Sequence, residues 1–220
     1  VGRNHVKDAG NRVEAAIAGP FHTDTLLRYD PSLADLKGVL NGQSQWQFGI
    51  SMPEVRSSVE APVLLDAQSN MVGTEIRLPV PLNKPAATAQ AFQLRTNFPA
   101  DKGVIEFRLG PAFRLLLKKP KDKPMTGIAL FGAQTQGSIP VSGFSVRGSS
   151  DEFDAPAWLA LAKKAKDGTG LQSFDLSVNH LRLMGEDFGL TFGCYKSADR
   201  SFDGADEGGS GGAGVEVEEG

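Results

Sequence analysis

The chain is poor in the residues that carry most protein chemistry. Among 220 residues there is one cysteine, Cys194, and there are three histidines, His5, His22 and His180. A lone cysteine excludes an internal disulfide. On an alternating strand face Cys194 reads as a small hydrophobe rather than a nucleophile. The histidines are far apart and lack ligand spacing to any Cys or carboxylate cluster, so no metal site is expected. Aromatics make up 8% and do not interleave with a basic stretch, which argues against nucleic acid as a partner. No apolar run approaches the roughly 18 residues of a membrane-spanning helix. No signal peptide opens the chain and Val1 is not a start methionine, so the chain reads as a segment of something longer.

Chemical motifs are equally scarce. There is no Walker loop. Gly208–Gly212 fits the pattern of a nucleophile elbow and Gly209–Gly214 that of a dinucleotide loop, but neither has a strand before it and a helix after it. Glu186 and Asp187 are adjacent carboxylates in a turn, where solvated charge is the ordinary role. No catalytic residue and no cofactor are expected.

What is present is glycine, proline and period-two alternation. The 26 glycines and 13 prolines favour many turns over long helices. Trp46, Phe48, Ile50 and Met52 alternate with Gln45, Gln47, Gly49 and Ser51, the cleanest strand of the first half. Phe92, Leu94, Thr96 and Phe98 mark another. Phe174, Leu176 and Val178 alternate with Asp175, Ser177 and Asn179; after His180 the phase slips to Leu181 and Leu183, which predicts a bulge. Phe188, Leu190, Phe192 and Cys194 continue past a short polar turn, predicting a hairpin. The spacing gives roughly ten to twelve strands and nothing that demands parallel units.

The one good helix candidate is Asp154–Lys166. Asp154 suits the N-cap, Pro156 the first turn and Lys163, Lys164 and Lys166 the C-terminal end. A weaker helical spacing covers Thr23–Leu36. Leu78–Pro85 holds three prolines and cannot be a central strand. The expected fold is mainly β: an elongated, curved antiparallel meander or groove with one short amphipathic helix near 154–166.

Charge divides the chain in two. Ser197–Gly220 carries seven acids against Arg200, a net −6, which leaves +3 on the first 196 residues. Residues 1–196 are read as the β-rich unit and 197–220 as an acidic, Gly-rich flexible loop or tail with too little apolar content to form a core. Lys118–Lys123 is a basic tip. It reads as a solubilising loop end, with Lys118, Lys119 and Lys121 as candidate contacts for acidic head groups.

Four stretches resemble one family. Trp46-Gln47-Phe48-Gly49 after Gly42 is one, and Ser69-Asn70-Met71-Val72-Gly73 leading to Leu78-Pro79-Val80-Pro81-Leu82-Asn83-Lys84-Pro85 is the second. Phe153-Asp154-Ala155-Pro156-Ala157-Trp158-Leu159 is the third, and Phe174–Leu183 with Gly185 and Asp187-Phe188-Gly189 the fourth. In this order they resemble the AsmA-like superfamily, in particular its YhdP-type envelope proteins. The resemblance spans Gly42 to Cys194; the acidic stretch after Tyr195 departs from it.

The resemblance implies a non-enzymatic segment of a lipid-binding or lipid-conducting groove. Its protein would be anchored in the inner membrane, periplasmic, and implicated in phospholipid transport to the outer membrane. The implied partners are phospholipid acyl chains, neighbouring segments of the same longer chain and other envelope proteins. Trp46, Phe48, Ile50, Met52, Phe92, Leu94, Phe98, Phe174, Leu176, Val178, Leu190 and Phe192 are the expected lipid-facing set. A structural or assembly β module without ligand is the alternative. A hydrolase using His180 with Glu186 or Asp187 is a third reading.

Overall fold

The structure, a computed structural model, describes residues 5–8, 12–25, 38–53, 62–133, 135–164, 170–183 and 186–196; for 5–8, 12, 53, 162–164 and 187–196 it describes the backbone alone. The acidic tail and most of Thr23–Leu36 lie outside these residues; 23–25 are helical.

Among the described residues twelve strands form one sheet: β1 His5–Asp8, β2 Arg12–His22, β3 Leu40–Pro53, β4 Val63–Ser69, β5 Thr74–Ile76, β6 Phe92–Phe98, β7 Val104–Leu109, β8 Phe113–Lys118, β9 Thr126–Phe131, β10 Phe144–Asp154, β11 Leu171–Leu183 and β12 Glu186–Lys196. Neighbours follow chain order from β1 to β12, except that β5 leaves the path to pair with the start of β3. The mainly β meander expected from the alternation is what forms.

Two pairings differ from that expectation. β10 runs parallel to both β9 and β11, so the sheet is mixed. Parallel neighbours need crossovers of about a dozen residues or more. Residues 132–143 supply one, and the helix α1, Ala155–Lys164, lies in the other. β9 is covered on both faces, as strands with parallel neighbours commonly are: Ile128 and Leu130 are buried beneath Gly137, where a Cβ would come within 2.7 Å of Ile128 Cδ1.

The phase slip in β11 is real, but it is no bulge. The register against β10 and β12 runs unbroken through His180. Phe153 and Leu181 are cross-strand partners, and both pack with the core. The slip occurs in adjacent strands together, so no residue is left over. The sheet's irregularity in β10–β11 lies instead at Phe144/Ser145.

α1 starts where the sequence places it. Asp154 Oδ1 accepts the amide of Ala157 at 2.9 Å, capping the first turn. The proline segment is a loop that bridges antiparallel to β5 at Ile76 and Lys84. It folds over the sheet, burying Leu82 and Lys84, and is held by paired amides between Ile76 and Lys84 at 2.8 and 2.9 Å.

Candidate functional site

Cross-strand register decides which side chains share a face. Ile17, Phe48, Ala67, Leu94, Phe107, Leu115, Ala129, Val146 and Phe174 are successive partners across the nine strands from β2 to β11 along the sheet path. No polar residue interrupts this row. At about 4.8 Å per strand, its eight steps span roughly 38 Å at right angles to the strands.

Parallel rows flank it. Towards one end of the sheet lie Trp46, Phe92, Leu109, Phe113, Phe131 and Leu176. Towards the other lie Ile50, Leu65 and Thr96, with Ile105, Leu117, Gly127 and Phe144 continuing the line. Met52, Val63 and Phe98 come last.

The two ends of this apolar face differ. The first is capped. Met71, Ile76 and Leu82 are buried there with Trp46, Ala67, Leu109, Phe131, Phe153, Leu176 and Val178 in one cluster. Trp158 of α1 stacks on Phe153 with ring centroids 6.0 Å apart. Its indole Nε1 donates to the carbonyl of Val80 at 2.8 Å. A polar network fastens the cap to the sheet. Ser44 Oγ accepts from Trp46 Nε1 at 2.9 Å and meets Thr74 Oγ1 at 3.0 Å. Lys84, 2% exposed, donates from Nζ to the carbonyls of Thr74 and Pro85 at 2.7 and 2.8 Å. Its desolvation pushes the ammonium pKa below its ordinary value.

Gly42 and Gly73 let the cap close. Gly42 has φ +118°, and a Cβ on it would stand 2.1 Å from the carbonyl oxygen of Gly73. The amide of Gln43 donates to that same oxygen at 3.1 Å.

The far end is open. Met52 is exposed and Phe98 is 70% exposed. Ile50, Leu65, Ile105, Leu117 and Phe144 are half-buried, and none belongs to the capped cluster. Ten of the twelve residues expected to face lipid fall on this one face: Trp46, Phe48, Ile50, Met52, Phe92, Leu94, Phe98, Phe174, Leu176 and Val178. Trp46, Leu176 and Val178 are sealed under the cap with Ala67 of the middle row, and Phe48, Leu94, Ala129, Val146 and Phe174 pack half-buried against that cluster, so the far row is the accessible one. Leu190 and Phe192 belong to β12, whose backbone alone is described there. Its register aligns Thr191, rather than Phe192, with Val178. Reading strands one at a time missed Ile105, Phe107, Leu115, Leu117 and Phe144. Ile105 and Phe107 alternate with charged residues, whereas Leu115 and Leu117 sit in the run Leu115-Leu116-Leu117, and only the register joins them to the others.

The opposite face carries most of the charged and carboxamide side chains, beside apolar patches at Leu64, Val104, Leu116, Ile128 and Leu130, and holds two recesses. One of about 780 Å³ is lined by Glu14, Asp66, Arg95, Asn97 and Glu106 among others. Asp66 accepts from Arg95 Nε at 2.7 Å, Gln68 Nε2 at 2.6 Å and Gln93 Nε2 at 2.9 Å. Burial alone would raise its pKa. The hydrogen bonds from Arg95, Gln68 and Gln93 and the Arg95 charge outweigh that and hold it below the ordinary carboxylate value. The second recess, about 690 Å³, is lined by carboxamides, with Gln47, Gln68 and Gln93 in successive register.

The residues of the hydrolase reading are not cross-strand partners. His180 is exposed and stands opposite Gly189, whereas Glu186 and Asp187 stand opposite Leu183 and Arg182. Among the described residues no three His, Cys, Asp or Glu side chains gather to hold a metal. No described helix is long and apolar enough to cross a membrane.

The family model described as YhdP protein matches residues 4–192. No curated protein and no solved structure matches the chain.

Proposed function

This chain belongs to the YhdP protein family, and on that premise we propose that it is a non-enzymatic, lipid-binding segment of an envelope protein. Its open apolar rows take up phospholipid acyl chains. Its place is the periplasmic part of a longer protein anchored in the inner membrane, in phospholipid transport towards the outer membrane. The observation that carries the reading is the unbroken apolar row from Ile17 to Phe174 together with the uncapped row beside it, where Ile50, Leu65, Ile105, Leu117 and Phe144 stand half-buried and Phe98 is exposed. An exposed apolar surface of this extent is unusual unless something occupies it. At about 25 cal/mol per Å², acyl chains laid along it gain by leaving water. A row of roughly 38 Å exceeds the ~15 Å depth of one leaflet's hydrocarbon, half of a ~30 Å bilayer core.

A photocrosslinking side chain at Ile50 or Leu115 is expected to capture phospholipid in envelope preparations. One at Gln47 or Ser177, on the polar face, is not. Equal labelling of the two sets, or none at either, overturns the reading.

The alternative, a structural module, draws on the sheet's end strands. Among the described residues β1 pairs only with β2 and β12 only with β11. Such edges template association with neighbouring strands. Sedimentation over a concentration range separates the two: assembly without any lipid label at Ile50 favours the module.

A further inference from the structure

The uncapped end of the apolar face also carries the basic turn. β8 ends at Lys118 and β9 begins at Thr126, which is its cross-strand partner. Between them Lys119, Lys121 and Lys123 are all exposed. The neighbouring turn, between β6 and β7, adds Lys102, and Val104 just after it pairs with Lys118. Against these five lysines stand Asp101 and Asp122, leaving three positive charges on two adjacent turns.

Large apolar side chains project at the same end. Phe98, the last residue of β6, is 70% exposed, and Val141 is fully exposed. Val141 lies two residues before Gly143, whose carbonyl accepts the amide of Gly127 at 3.1 Å, beside the strand that leaves the lysine turn. Each feature alone is an ordinary loop end. Together, at the mouth of the open rows and opposite the cap, they match a surface that is anionic outside and hydrocarbon within.

We propose that this end of the sheet docks on a bilayer surface rich in anionic phospholipid. The lysines of the two turns meet the headgroup phosphates, Phe98 and Val141 enter the interface, and acyl chains pass onto the rows at Ile105, Leu117 and Phe144. The passage of acyl chains rests on the lipid-binding reading above; the docking does not. Lysine near an anionic membrane contributes about fivefold in binding, so the turns select charge while the apolar rows stay indifferent to headgroup.

The test is co-sedimentation of the purified chain with vesicles of phosphatidylcholine alone, or mixed equally with phosphatidylglycerol. Preferential binding to the mixed vesicles, weakening with salt, is expected. Replacing Lys119, Lys121 and Lys123 together by Gln should weaken it roughly a hundredfold. Phe98→Ser should weaken it further without changing the salt dependence. Equal binding to both vesicles, or a triple variant that binds like the parent chain, overturns the proposal. So does release by inorganic phosphate beyond that caused by chloride at equal ionic strength, which would assign the turns to free phosphate. A crosslinker at Ile50 keeps the two readings apart. Lipid label without charge preference removes the docking surface alone, and charge preference without lipid label removes the acyl track alone.

Discussion

Trp158 and Val80, 78 residues apart, are joined by a 2.8 Å hydrogen bond from indole to carbonyl. The bond ties α1 to the proline segment, so two stretches that resemble family motifs meet in one cap. Trp158→Phe keeps most of the stacking on Phe153 but orphans the carbonyl. It should cost about 1 kcal/mol. Trp158→Ala should cost about 3 to 5 kcal/mol. Urea denaturation measures both, and equal stability of the two variants would contradict the bond's role.

Gly42→Ala should destabilise by about 3 kcal/mol or more, because φ is +118° and the new Cβ would meet Gly73 O. Gly19 is the control. Nothing lies within 4 Å of a Cβ placed there, so Gly19→Ala should stay within about 0.5 kcal/mol of the parent chain.

Lys84 should make stability rise with alkaline pH. Its pKa in the folded chain lies below the ordinary 10.5. Between the folded and the ordinary value the unfolded chain holds more protons, so raising pH favours folding over that interval. Below the folded value the unfavourable contribution is present in full. Lys84→Met should lack this rise. A difference in stability between variant and parent that does not change with pH would refute it.

Asp66 acts with the opposite sign. Its pKa is depressed, so its contribution is present above the ordinary value of 3.8 and is lost as pH falls through the folded value. Arg95 is 56% exposed, so Asp66→Asn should cost only about 1 kcal/mol or less at neutral pH. The two proteins should converge in acid, which chemical denaturation at several pH values can follow.

Leu176→Ala should cost about 2 to 5 kcal/mol, since the side chain is sealed beneath the cap. Phe98→Ser should change stability by no more than about 0.5 kcal/mol, because Phe98 already stands in water. Similar losses at both sites would mean that the far end is closed.

Much of this was legible in the alternation. Phe48 and Leu94 announce their strands because polar partners flank them, and Asp154 announces the helix because its carboxylate fits an N-cap. The slip after His180 was visible, but a single strand cannot show that Phe153 and Leu181 shift together. The parallel placement of β10 was hidden because Gly137 and its neighbours carry no periodic signal, although they cover Ile128 and Leu130. In the sequence Lys84 stands out only as part of the proline-rich stretch that resembles the family. Only the fold reveals that its ammonium is enclosed by the carbonyls of Thr74 and Pro85. For the site, ten residues of one face were legible, while the order in which strands join them was not.

The row from Ile17 to Phe174 runs in the direction in which strands are added, and this makes the sheet a ruler. Each antiparallel hairpin inserted into it would lengthen the track by two strand spacings, about 9.6 Å. The width and chemistry of the track would stay unchanged, provided the new pair kept the alternation. Reach is therefore counted in hairpins, and a protein of this design changes the distance it spans by duplication rather than by redesign.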